Sequence, residues 1–382
     1  MTASGSFSNP VAIRFGEDAL EGLGRLVRSR RVVIVTTPGM ERRGTPDGLE
    51  AMLEQPVVAR FAEVGPNPTI RSCTDAFEAV RESAPQVLIA LGGGSVIDTT
   101  KAVAAQLGGQ SGSGWLAAHL RSSEPFPAPF DPPSIIAIPT TAGTGSEVTM
   151  WGTIWDEQSR EKRSISHERL YPEAALLQPS LTHSVPRETT VASALDALSH
   201  AMEAIWNRAA NPVSGAVAVR AIGLIPRGLR RVLDAPADAE ARDMLVEGSL
   251  LAGLAISNTR TALAHSISYP LTAELGLPHG IAASITLPEI LAEVGRGAPD
   301  RAERIVHATG SESVPDAIGR LYELFEVAGT ADIVRRHIPA AGELDRLRGG
   351  FIAPGRAENF VLPMDQDAAS ALLRRAYGAV VG

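Results

Sequence analysis

Cysteine is almost missing from this chain. The lone Cys73 among 382 residues cannot close an internal disulfide, which fits a reducing cytoplasm, and it excludes a zinc cage built of thiolates. Long apolar runs are missing too: nothing approaches the roughly 18 residues that a membrane span needs. Basic charge is not in excess, and a net charge of −8 removes the electrostatic case for a nucleic-acid partner. The opening stretch MTASGSFSNP has no basic region leading into an apolar one, so no secretory signal is read. No internal repeat is visible, and no untied tail beyond the first few residues. What remains is 44% hydrophobic and 20% charged, the composition of a soluble globular protein long enough for two or three domains.

The first half alternates short apolar runs with helical patterns. Val32–Val35, Val57–Phe61, Val87–Leu91 and Ile135–Ile138 read as buried strands, with helices around Glu17–Arg28 and Thr74–Ser83. This alternation predicts a parallel sheet covered by helices on both faces. A Gly-, Ser- and Pro-rich loop spans Gly108–Ser134, interrupted by a short helix at Trp115–Leu120. After about Pro186 strand-like runs nearly vanish. Glu188–Ile205, Pro212–Asp234, Asp238–Ile256 and Pro315–Phe325 carry Ala and Leu at helical spacing. The division expected is an α/β nucleotide-binding domain over residues 1–184 and an all-helical domain over 185–382, with the ligand site in a cleft between them.

Two loops point to a bound nucleotide. Val87–Leu91 runs into GGGSVIDTTK, where Gly93, Gly94 and Ser95 let the backbone approach an anion at a helix N-terminus. Ile135–Ile138 runs into PTTAGTGSEVT, where Thr140, Thr141, Thr144 and Ser146 offer hydrogen bonds. Two such loops, each after a buried strand, suit the phosphates and nicotinamide of a dinucleotide, although the G-x-G-x-x-G fingerprint is absent. After the first strand, Thr37 stands where a carboxylate would exclude a 2′-phosphate, with Arg42 and Arg43 beside it, so NADPH is admitted as well as NADH.

A metal is indicated in the second half. Asp196 and His200 are four apart in ALDALSHAMEA and share a helix face. His265 and His279 follow in ALAHSISYPLTAELGLPHG. One carboxylate and three imidazoles suit Fe(II) or Zn(II).

Together GGGSVIDTTK, PTTAGTGSEVT, ALDALSHAMEA and the segment from His265 to PHG resemble the iron-containing (group III) alcohol dehydrogenase family, in family order from VGPNPT near Asn67 to about Leu287. The resemblance implies the dehydroquinate synthase-like fold and a homodimer. It puts Asp196, His200, His265 and His279 at the metal-ligand positions, and Gly93, Gly94, Ser95, Asp98, Thr140, Thr141, Ser146 and Lys162 at or near coenzyme-contacting positions. Departures are informative. Tyr269 stands where the family often has a proton-relaying His, and an ordinary Tyr pKa of about 10 makes it a poor base. Gln178 and Thr37 replace common carboxylates, and Ala194 a frequent Gly.

Substrate hints lie in ISNTRTALAH. Thr261 is four residues before His265 and is expected on the ligand's helix face, with Arg260 about 100° away. A guanidinium there suits an anionic aldehyde. SISYPLTAELGLPHG, HAMEAIWNRAANPVS, TRTALAH and GRAENF further resemble the phosphonoacetaldehyde reductase branch, found in phosphonate antibiotic biosynthesis. Arg163, Arg356 and His167 are secondary cationic candidates; Trp206 is read as core. The competing readings are a general short-chain alcohol or lactaldehyde dehydrogenase, a maleylacetate-reductase-like enzyme, a sugar-phosphate lyase of related fold, and an inactive metal-free nucleotide-binding protein.

Overall fold

The computed structural model describes residues 5–109, 112–159, 161–347, 350–353 and 355–382; the short tail expected at the N-terminus falls on residues 1–4, outside them. The chain forms two compact units. One takes Pro10–Thr141 and Ser146–Thr182; the other takes His183–Gly382, the chain before Pro10, and Ala142–Gly145.

In the first unit six parallel strands form one sheet. They are β1 (Ala12–Phe15), β2 (Val32–Val35), β3 (Ala59–Phe61), β4 (Val87–Gly92), β5 (Ser134–Pro139) and β8 (Ala174–Leu177), in the order β1-β8-β5-β4-β2-β3. Side chains alternate across the sheet with the period of two that a strand imposes. Val33, Val35, Leu88 and Ala90 enter one core with Phe77, Ile97 and Leu116. Val32, Ile34, Val87 and Ile89 enter the other with Leu23. Both faces are therefore covered, which is why β2 and β4 carry no polar residue.

The chain leaves β2 toward β3 on one side and β4 toward β5 on the other, so the winding direction switches between β2 and β4. In open α/β sheets ligands bind at the strands' carboxyl ends beside such a switch. Here those ends carry Thr36–Thr37, Gly92–Gly94 and Thr140–Thr141. They are tied together: Thr36 Oγ1 donates to Leu91 O at 2.8 Å and Thr140 N to Gly92 O at 3.0 Å.

A two-stranded antiparallel ribbon, β6 (Trp151–Asp156) with β7 (Glu161–Ser166), follows the TGSEVT loop. Sequence patterning missed it, as it missed β1 and β8. The edge strand β1 is exposed along its length and shows no apolar face. The AALL of β8 has helix-forming residues, and only the flanking Pro172 and Pro179 mark it as short. The helix expected over Glu17–Arg28 is confined to Leu23–Val27, because Gly22 at φ 91° breaks the turn before it. The strand expected over Val57–Phe61 pairs only from Ala59.

Ribbon and loop are stapled to the sheet by a buried cation. Lys101 lies within the Gly94–Gly108 helix, fully buried. Its Nζ donates to Ser146 O (2.7 Å), Ser146 Oγ (3.0 Å), Thr149 Oγ1 (3.1 Å) and Trp151 O (2.7 Å). Burial lowers its pKa to about 8, against the raising influence of Asp98 and Glu147. Asp98 in turn accepts from Ser146 Oγ (2.5 Å) and Thr153 N (3.0 Å).

In the helical unit no strand follows Leu177 among the described residues. Arg187–Ile205, Pro212–Asp234 and Ala239–Thr259 pack on one another. Their starts are legible: Asn211 and Ser214 form a capping box with Pro212 at the first turn, and Asp238 accepts from Ala241 N. Trp206 is fully buried, as core. No helix among the described residues is long and apolar enough to cross a membrane.

Lys101→Met leaves four acceptors without their donor. It is expected to cost about 3 kcal/mol, read as a lower Tm in thermal unfolding followed by circular dichroism; an unchanged Tm would count against the staple.

Candidate active site

The Arg187–Ile205 helix carries Asp196, His200 and Glu203 at spacings of four and three, which stack them on one face. All three are buried. His265 comes from the next helical stretch, Leu263–Leu275, and His279 opens the short helix His279–Ser284. The PHG sequence has a steric reason. A Cβ on Gly280 would lie 1.8 Å from Ala192 O, so only glycine lets this turn press against the Arg187–Ile205 helix. Ser199 Oγ, donating to Ala283 O at 2.9 Å, fixes the same contact.

Asp196, His265 and His279 each bring one ligand atom within 4.8 Å of the others. Asp196 Oδ1 and His265 Nε2 are 3.4 Å apart, buried, and without a hydrogen-bond partner among the described residues. A carboxylate oxygen and an imidazole nitrogen facing each other so are costly unless a cation lies between them. His200 flanks this trio. Its ring stacks on His265 at 4.6 Å, and its Nε2 is 3.8 Å from Asp196 Oδ1. Its Nδ1 is 3.3 Å from Gly143 O; a carbonyl only accepts, so Nδ1 carries the proton and Nε2 is left toward Asp196. Burial lowers the His200 pKa to about 4, which keeps the ring neutral as a ligand must be. Asp196 is held below the usual carboxylate range: burial alone would raise it, and the imidazoles overcome that.

Glu203 was not singled out in the sequence. It is fully buried and accepts from His265 Nδ1 at 2.6 Å and from His265 N at 3.2 Å. That fixes the His265 tautomer and aims Nε2 at Asp196, the usual arrangement behind a metal-bound imidazole. Burial would depress His265, but Glu203 and Asp196 bring it up to about 10, so a cation competes with a proton for Nε2. Its signal was present: Glu203 lies seven residues after Asp196, two turns along the same face.

The coenzyme candidates divide between the units. Gly93, Gly94, Ser95, Asp98, Thr140, Thr141, Ser146 and Lys162 lie in the α/β unit. Gly93 precedes the Gly94–Gly108 helix without a side-chain cap, leaving its first N–H groups for an anion, and a Cβ there would meet Thr141 Oγ1 at 2.9 Å. Asp98 and Ser146 bond each other, as above, so Asp98 shapes the loop. Thr37 caps the Pro38–Arg42 helix, with its oxygen 3.2 Å from Met40 N. Thr144 is exposed in the helical unit's four-residue loop, which is fitted tightly: Cβ atoms on Gly143 and Gly145 would meet Ser193 Cβ at 2.7 Å and Gly253 Cα at 2.4 Å.

The helix phasing expected for Thr261 is not realised. Ala239–Thr259 ends one helix, Arg260 turns the chain at φ 64°, and the next helix starts at Leu263. Arg260 is exposed, and its carbonyl accepts from Asn207 Nδ2 (3.3 Å) and Thr259 Oγ1 (3.1 Å). Tyr269 stacks on His279 at 6.2 Å, and its oxygen accepts from Arg356 Nε at 3.1 Å. Arg163 and His167 lie in the α/β unit. Arg163 is paired with Glu161, and His167 packs on Phe126 and Phe130.

Glu203→Gln keeps the shape and removes the charge behind His265. It is expected to weaken metal affinity about 10- to 100-fold, measured by competition with a chromogenic chelator; wild-type affinity would refute the role given to Glu203. Gly280→Ala is expected to cost about 1–3 kcal/mol in Tm and to weaken metal binding together with it.

The comparisons fit this geometry. The family model for iron-containing alcohol dehydrogenase matches residues 10–179, and that for the C-terminal part of the Fe-containing alcohol dehydrogenase family matches residues 190–335. The choline dehydrogenase of Bacillus subtilis is 29% identical over 84% of this chain and 82% of its own. The phosphonoacetaldehyde reductase of Streptomyces viridochromogenes is 35% identical over 70% of this chain and 68% of its own. The crystal structure of sulfoacetaldehyde reductase from Bifidobacterium kashiwanohense in complex with NAD+ has a TM-score of 0.89 at 26% identity, covering 98% of this chain and 99% of that one. With matched models over both the sheet that ends in the glycine loops and the helices that carry Asp196, His200 and His265, the chain belongs to the iron-containing alcohol dehydrogenase family.

Proposed function

We propose that this protein reduces phosphonoacetaldehyde to 2-hydroxyethylphosphonate by hydride transfer, using NADH or NADPH and a divalent metal. The observation that carries the reading is the buried approach of Asp196, His265 and His279 with Asp196 Oδ1 and His265 Nε2 otherwise unsatisfied. Asp196, His200, His265 and His279 hold the metal in this reading; Fe(II) and Zn(II) both suit the set. When bound, it supplies Lewis acidity to the aldehyde carbonyl and offsets the charge that develops on its oxygen.

The chain's own residues do the rest. Gly93, Gly94 and the N-terminus of the Gly94–Gly108 helix receive the pyrophosphate, and Thr140, Thr141, Ser146 and Lys162 line the same strand ends. Lys101 and Asp98 keep the Ser146 loop in place. Thr37 brings no carboxylate to repel a 2′-phosphate, and Arg42 and Arg43 are exposed nearby, which supports use of either coenzyme. Reduction needs a proton for the product oxygen. Tyr269, beside His279, is the candidate donor: with an ordinary Tyr pKa of about 10 it is protonated at neutral pH, the form that a donor needs.

The phosphonate assignment draws on the Streptomyces relative and on a guanidinium beside Tyr269. The test is coenzyme oxidation by anaerobically purified, metal-loaded protein with phosphonoacetaldehyde, propanal and maleylacetate. The phosphonate is expected to have a kcat/KM at least about 100-fold above propanal, in line with one or two charge-assisted hydrogen bonds. Equal efficiency on propanal would sink the substrate reading. Chelation is expected to abolish turnover and Fe(II) or Zn(II) to restore it; turnover by the stripped protein would sink the metal reading.

A further inference from the structure

We propose that Arg356, not Arg260, receives the acidic head of the substrate, with Tyr269 as its rest. This inference rests on the reading above that the substrate is an aldehyde carrying an acidic group, and it assigns that group its partner.

Arg356 is far from His265 in sequence, yet it is brought to the metal-bearing helical stretch by a laced segment. Ser266 Oγ donates to Phe351 O at 2.7 Å and accepts from Ala353 N at 2.6 Å. Asn359 Nδ2 donates to Thr261 O at 2.8 Å. Asn207 and Phe360 form a β-bridge, Arg208 N donates to Asn359 O at 2.8 Å, and Val361 N donates to Trp206 O at 3.0 Å. Anchors thus lie on both sides of Arg356: on the Leu263–Leu275 helix before it, and on the residues just past the Asp196 helix after it. Its guanidinium is half-buried, bonds Tyr269 through Nε, and has its central carbon 6.0 Å from that ring's centroid. The same ring stacks on His279. One aromatic ring therefore separates a metal-ligand candidate from a cation.

Arg260 lacks this placement. It turns the chain between two helices and is exposed. A partly desolvated guanidinium is a costly group to hold beside a cation site unless an anion joins it. Binding through Nε to a neutral phenol leaves the planar terminal fork, the part that matches phosphonate or sulfonate oxygens, with its charge undiminished by that contact. A substrate with a carbonyl at one end and an oxyanion at the other matches a cation pair separated by an aromatic wall. The relatives underline the point, for one is named for choline and two for acidic aldehydes. The site's charge must be set by residues outside the ligand set.

The test is the ratio of kcat/KM for an acidic aldehyde to that for propanal, measured with metal-loaded wild type, Arg356→Ala, Arg356→Lys and Arg260→Ala. Phosphonoacetaldehyde and sulfoacetaldehyde are the acidic arms. Arg356→Ala is expected to lower the ratio about 10- to 100-fold, chiefly through KM. Arg356→Lys should recover part of it, because a point charge remains and the fork is gone. A merely structural role would lower both substrates together and leave the ratio where it was, which overturns the proposal. If the ratio falls with Arg260→Ala and not with Arg356→Ala, the proposal fails while the anionic-substrate reading stands. If wild type shows no preference for either acidic aldehyde, both fall. Should Arg356→Ala not fold, Arg356→Lys carries the test: an unchanged ratio overturns the proposal.

Discussion

Two carboxylates buried on one face of one helix are the constraint around which the helical unit is arranged. Asp196 and Glu203 are removed from water and from lysine or arginine partners, and only imidazoles answer them. Burial of an isolated carboxylate is far more costly than any single packing gain, so the imidazoles must be held within hydrogen-bond or near-contact distance. That requirement explains the small residues around them. Gly280 lets the His279 turn touch Ala192, and Gly143 and Gly145 let a loop carried over from the sheet lie against Ser193 and Gly253. Any larger residue at these points would push an imidazole or its support away.

Glu203 and Asp196 divide their tasks by where they meet His265. Glu203 takes the Nδ1 proton and the backbone N–H, so its negative charge is used up in orienting the ring. Asp196 faces Nε2 with no proton between them that the geometry accommodates as a hydrogen bond. One carboxylate therefore sets direction and the other is left as a ligand. The buried Lys101 plays the comparable part in the α/β unit, with sign reversed: a cation used up in holding Ser146, Thr149 and Trp151 so that loop hydroxyls keep their places. Each unit thus sets a rigid, internally compensated charge behind the residues that meet ligands.

Much of this was legible in the sequence. The runs VVIV and VLIAL announce central parallel strands because such strands are covered on both faces, and the four spaced residues of the metal set were read where the structure brings three together and places the fourth beside them. What escaped reading escaped for physical reasons. The edge strand β1 has no buried face to pattern. The break at Arg260 depends on a positive φ at a non-glycine residue, which periodicity does not register, so a helix was extended through Thr261. Glu203 and Lys101 look like solvated charges in sequence, since their types are almost never fully buried without partners. Their partners are supplied from His265 and from the Ser146 loop, 62 and 45 residues away.

The family's reaction and this chain's substrate are written in different parts of the molecule. Asp196, His200, His265 and His279 specify that a carbonyl or alcohol oxygen meets a cation, and that chemistry is indifferent to what lies at the substrate's other end. Discrimination must come from groups that touch that end, because a site charge common to all substrates contributes equally to each and cancels from their ratio. In this chain the position four residues after His265 holds Tyr269, and a neutral phenol there can accept from a guanidinium, which a protonated imidazole would repel. Replacing a relay histidine by tyrosine and bringing in Arg356 are therefore one change in two places: the first gives up a base with a pKa near neutrality, and the second gains a cation in the position that base would have contested.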